Sequence, residues 1–251
     1  MFLVAVRKEI LELWRTNRLL VILVVFVFFG LLSPLTAKLT PELIRLIPEG
    51  ERIAELIPPP SFNDAIVQYN KNISQFGVVL ALLMTMGAVA QEKDKGTAAL
   101  MLSKPLSRSA FLGAKFVALG LAFMIGLVAS AASAYYYTML LFEAPAVSSW
   151  LALNGLMFLY LLVFVALTLL CSTVSRSLIV AGGLGFGAMV IVSLLGLLSV
   201  VGDYMPGQLL KWGLGLNTGA VGTAWPAVWG SLGIIIISLM LAWAIFRNQE
   251  L

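Results

Sequence analysis

Only 11% of the 251 residues are charged, and one strip gathers many of those that are: Gln91-Glu92-Lys93-Asp94-Lys95-Gly96-Thr97-Ala98-Ala99-Leu100-Met101-Leu102-Ser103-Lys104-Pro105-Leu106-Ser107-Arg108. The chemistry open to the chain is narrow. Histidine is absent, which removes the commonest general base, proton relay and transition-metal ligand together. A single cysteine, Cys171, lies in an apolar run, so no intrachain disulfide can form. No GxxxxGK[ST] loop is present, so ATP hydrolysis by the P-loop route is not expected from this chain. Catalytic residues and a metal site are therefore not expected, and what remains is recognition and packing.

The elements that must position this strip are membrane spans. Hydrophobic residues make up 61% of the sequence and charged ones 11%, against a soluble norm of about 25% charged residues. Apolar runs long enough to cross roughly 30 Å of hydrocarbon recur along it. We place six: Leu19–Ala37, Ile73–Ala90, Ala110–Leu141, Trp150–Thr173, Leu178–Val201 and Trp225–Phe246. The expected fold is an all-α integral membrane domain covering residues 1–251. No Asp or Glu falls inside these spans, and Lys115 lies near enough to the end of span three to snorkel. Carriers driven by protons or sodium normally keep acids at membrane depth, so the chain reads as lacking its own energy source.

Charge sets the expected orientation. With both termini on one side, that side holds Arg7, Lys8, Arg15, Arg18, Lys93, Lys95, Lys104, Arg108, Lys115, Arg176 and Arg247, eleven cations against five on the other. Cytoplasmic termini in a plasma membrane follow. The charged N-terminus, followed by a run of spanning length, does not read as a signal peptide. Residues 1–16 form an amphipathic helix, with Phe2, Leu3, Val6, Ile10, Leu13 and Trp14 on one face and Arg7, Lys8, Glu9, Glu12 and Arg15 on the other. It either lies in the cytoplasmic interface or extends span one.

Residues 38–72 form an external loop. In it, Thr40-Pro41-Glu42 is expected to start a short helix, and Ser61-x-x-Asp64 resembles a capping box opening toward span two. Residues 202–224, rich in glycine, read as a re-entrant hairpin or a flexible external loop. Gly183 and Gly187, at GxxxG spacing, mark a helix-packing face. Tyr135, Tyr136 and Tyr137 suit an aromatic belt.

Within the cytoplasmic segment 91–109, Gly96 breaks the preceding helix and Thr97 can cap a short helix over Ala98–Leu102, which Pro105 ends. Ser107 or Ser109 can cap the entry to span three. An exposed Ala-Ala-Leu-Met-Leu patch needs a covering, either a partner or the lipid headgroups beneath it. Here the sequence resembles a known family. Gln91-Glu92-Lys93-Asp94-Lys95-Gly96-Thr97, then Leu102-Ser103-Lys104-Pro105-Leu106-Ser107-Arg108 and Gly113-x-Lys115-Phe116, is similar to the pattern of ABC-2-type permeases. Within them it is closest in pattern to the branch that includes the permease for nitrous-oxide-reductase maturation.

The resemblance implies a half-transporter: two permease copies, identical or related, bound to two cytoplasmic ATPase subunits that carry the ATP and magnesium. Export is the expected direction, and no nucleic acid is involved. By the same likeness, Glu92, Gly96, Thr97, Pro105 and Arg108 would shape a coupling helix, and Leu100, Met101 and Leu102 would fill a groove on the ATPase. Arg176 would mark a second contact in the link Ser172–Ser177. The alternative is a transporter or channel that works without an ATPase.

Overall fold

A computed structural model describes residues 2–48, 51, 58–97, 107–220 and 222–249. The short helix expected over Ala98–Leu102, with Leu100, Met101, Leu102 and Pro105, lies outside the described residues. Those that are described form helices α1 (Phe2–Arg15), α2 (Arg18–Arg45), α3 (Phe62–Thr85), α4 (Ala90–Asp94), α5 (Arg108–Leu141), α6 (Val147–Val174), α7 (Leu178–Leu195), α8 (Gly207–Thr218) and α9 (Trp225–Arg247), with a 3-10 turn at Gly202–Tyr204 and no strand. Six helical stretches among them are long and apolar enough to cross a membrane: α2, α3 continued through α4, α5, α6, α7 and α9.

The core forms where α2, α3, α5 and α6 meet. Phe26 and Phe123 are fully buried and contact edge-to-face at 5.9 Å. Close approach explains two glycines there. A Cβ on Gly77 would lie 2.6 Å from Leu161 Cδ2, and one on Gly126 would lie 2.8 Å from Ile22 and Phe26. Two helices lie at the margin: α7 buries only Ala181, Gly185 and Met189, and α9 only a single stripe that includes Ala227, Ile235 and Phe246.

Several boundaries differ from those read in the sequence. Thr40-Pro41-Glu42 does not start a helix, because α2 runs unbroken through Pro34 and Pro41 to Arg45. Hydroxyls beside these prolines bond back along the helix, Ser33 to Phe29 O at 2.5 Å and Thr40 to Thr36 O at 2.7 Å. Such local bonds help a helix tolerate the donors that proline lacks. The capping motif at Ser61 does open α3, since the Ser61 amide donates to the Asp64 carboxylate at 2.8 Å. That helix begins at Phe62, however, so residues 62–72 are helical and continuous with the helix of span two.

Two of their polar side chains turn inward. Tyr69 is 1% exposed and donates to Asn154 Oδ1 at 2.6 Å, while Asn72 donates to Ser33 Oγ at 3.0 Å. Residues 202–220 are likewise held by packing. Helix α8 lies against α6 and α3, with Leu209 fully buried and Asn217 donating to Ser149 O at 3.0 Å. A free surface loop is thus replaced by a helical cap on the end of the bundle opposite the strip.

Candidate coupling site

The strip hangs from the break between α3 and α4. Ser172 of α6 holds this break closed, accepting from the amides of Val89 and Ala90 at 3.0 Å each and donating to Met86 O at 2.8 Å. Helix α4 ends at Asp94, and Gly96 just beyond it has a φ of 68°, the left-handed conformation that glycine adopts without strain. Thr97 donates back to Glu92 O at 3.2 Å. Gly96 and Thr97 therefore close the described part of the strip on this side.

Glu92 occupies a different place from the one its sequence position suggests. Its Oε1 receives Lys115 Nζ at 2.8 Å and Lys8 Nζ at 3.3 Å. Lys115 also meets Glu9 Oε2 at 3.0 Å, and Lys8 contacts Glu9 at 2.9 Å and Glu12 at 2.7 Å. The expectation that Lys115 snorkels is overturned: its side chain is 2% exposed and held between acids from α1 and α4. Its ammonium lies 4.9 Å from the Phe111 ring, a favourable placement over the π face.

Glu9 likewise leaves the polar face assigned to it. It is buried with Val6 and Leu13 on the face of α1 that packs on the bundle, while Leu3 and Trp14 are exposed. The result is one ionic cluster tying α1, α4 and α5 beside a cavity of about 460 Å³, which Arg18 and Gln91 also line, bonded to each other at 3.2 Å.

Charge within the cluster is largely offset. The carboxylates of Glu9, Glu12 and Glu92 come within 4.8 Å of one another, spacing that could hold a metal ion. Each also has a lysine ammonium at 2.7–3.3 Å, so two lysines offset two of the three negative charges, while Glu92 Oε2 is buried without a hydrogen-bond partner. Burial alone would lower the pKa of Lys8, but its hydrogen bonds to Glu12 and Glu9 and the nearby carboxylate charges outweigh this and raise it. Burial would raise that of Glu12, and the Lys8 ammonium holds it below the ordinary value instead. Both groups are thus held in their charged forms.

A second set of contacts fastens the other side of the strip. Lys93 donates to Thr173 O at 2.5 Å and to Gln249 Oε1 at 3.1 Å, joining α4 to α6 and the end of α9. Arg108, at the start of α5, donates to the carbonyls of Phe246 at 2.5 Å, Arg247 at 2.7 Å and Gln249 at 3.0 Å. A cation satisfying the orphan carbonyls of a helix C-terminus is favourable on both hydrogen-bond and dipole grounds. Ser107 caps α5 by accepting from the Ala110 amide at 3.2 Å. Arg176 is exposed in the link between α6 and α7, a link shortened to residues 175–177 because Ser172 and Thr173 are helical.

These contacts bring Glu92, Gly96, Thr97 and Arg108 into one assembly and add Lys8, Glu9, Lys93, Lys115, Ser172 and Gln249, which sequence reasoning did not assign. At 100° per residue Glu9 falls only about 60° from Val6, which was the available signal.

The sequence matches the profile described as ABC-2 family transporter protein over residues 3–251. The chain belongs to the ABC-2 transporter family. This membership, with the six apolar helices, makes it a multi-pass membrane protein and supports a permease component of an ABC transporter. It is also 28% identical to the uncharacterized transmembrane protein YxlG of Bacillus subtilis (strain 168), over 97% of this chain and 96% of that protein.

Elsewhere, Gly183 and Gly187 do not form the packing face of α7 within this chain. A Cβ at either would meet nothing within 4 Å, whereas one on Gly185 would lie 2.6 Å from Leu82 Cδ1.

Proposed function

We propose that this chain is the permease subunit of an ATP-driven exporter, paired with a second permease copy and powered by separate cytoplasmic ATPase subunits. ATP and magnesium would be bound by those subunits, and both termini would be cytoplasmic. The strip motif also favours the branch that contains the nitrous-oxide-reductase maturation permease.

The observation carrying this reading is that the strip characteristic of the family is anchored at both of its described ends. Glu92 is tied through Lys115 to α1 and α5, and Arg108 is tied to α9. A push on residues 98–106 from a partner would thus act on α1, span three and span six together. Residues Leu100, Met101 and Leu102 would make the contact, with Pro105 ending their helix and Arg176 adding a second touch. The ATPase must bind two states of the permease with different affinity for such a push to change the conformation.

Affinity purification from membranes co-expressing the ATPase tests this. The ATPase is expected to co-elute with the wild type and to be lost with Leu100→Asp or Leu102→Asp. Retention by both variants, with transport intact, would discard the coupling assignment.

A further inference from the structure

The far half of the bundle carries a second cavity, of about 460 Å³, that opens sideways between α5 and α6. Its walls are two matched stripes. On α5 the stripe runs from Met124 through Val128 and Ala131 to Tyr135, and on α6 from Val147 through Leu151 and Asn154 to Phe158. Each advances by four, three and four residues, the spacing that keeps side chains on one helical face. Val128 is 63% and Leu151 65% exposed, so the groove is open to its surroundings.

Gly155 and Ala132 also line it and keep it wide. A Cβ on Gly155 would meet nothing within 4 Å. Glycine weakens a helix interior, and no neighbouring helix requires its presence at this position. Near the inner wall, Asn154 is already satisfied, accepting from Tyr69 at 2.6 Å and donating to Trp150 O at 2.9 Å. It therefore asks no hydrogen bond of an occupant.

The dimensions identify what fits. Eleven residue steps at 1.5 Å make a trough of roughly 16 Å, about half of the roughly 30 Å hydrocarbon core. It begins near mid-helix in α5 and ends close to the far termini, where Tyr135 donates to Pro145 O at 3.3 Å. We propose that this groove is a binding site for one acyl chain of a phospholipid in the leaflet away from the strip, with the headgroup at the level of Tyr135 and Val147. The proposal goes beyond the permease reading and needs no ATPase.

Photo-crosslinking in vesicles of phosphatidylethanolamine and phosphatidylglycerol, doped with a phospholipid bearing a diazirine on its tail, tests it directly. Label mapped by mass spectrometry should be enriched at Val128 and Leu151 over Ile191 and Leu194, which are exposed on α7. Gly155→Leu should abolish that excess, and Ala132→Phe should do the same by filling the groove from the other wall. Equal labelling of both faces, or an excess that survives in both folded variants, would overturn the proposal. So would a disulfide between copies carrying Leu151→Cys in a Cys171→Ser background, since a second copy would then cover the groove.

Discussion

Lys115 is the eighth residue of a 34-residue apolar helix, and its side chain is only 2% exposed. Two carboxylates from other elements make that arrangement stable. Removing one partner from a buried cluster leaves an uncompensated charge and costs about 3–5 kcal/mol, whereas replacing the whole group by neutral residues of similar size is often nearly neutral. Lys115→Met is therefore expected to lower the thermal unfolding midpoint in detergent and expose α1 to protease. The triple variant Glu9→Gln, Lys115→Met, Glu92→Gln should recover much of the loss. A fully stable Lys115→Met protein would mean that the cluster contributes little. The sequence showed Lys115 close to a helix end, which suits snorkelling. It did not show that α1 folds back to bring Glu9 within 3.0 Å, because that is a tertiary fact joining residues 106 positions apart.

At the level of elements, local signals with a short reach were legible and those overridden by packing were not. Ser107 and the Ser61–Asp64 motif cap the helices expected of them, since each acts within one turn. Pro41 failed as a starting signal because α2 was already running through it, and an existing helix can absorb one missing donor. For α7 the glycine spacing was visible but the face was not: Ala181, Gly185 and Met189 turn inward. Gly185→Leu should accordingly destabilise the chain on its own, by about 1–3 kcal/mol from overpacking, read as a lower unfolding midpoint. Gly183→Leu should leave that midpoint unchanged, as its added atoms meet open space. If the Gly183 face receives the second permease copy, the same variant will lower the dimer fraction in crosslinking or light scattering.

Across the whole molecule, the number of apolar helices was readable from composition, but their ends were not, because polar residues such as Tyr69 and Asn72 mark a buried interior here and not a water boundary. Sidedness is a global property resting on the cation asymmetry, eleven against five. In a Cys171→Ser background, an impermeant maleimide added outside intact cells is expected to label Arg52→Cys and to spare Lys95→Cys until the membrane is opened. The reverse pattern would invert the orientation.

The ionic cluster also has a history written into chain order. Glu9 and Glu92 both precede Lys115 in the chain, so both acids are synthesised before the lysine they pair with. A lysine at the centre of a span opposes insertion by about 2.5–3.5 kcal/mol, and less toward the ends. Here waiting carboxylates can offset that opposition as the helix enters. The N-terminal helix would then act as an assembly aid for span three before it serves the finished protein.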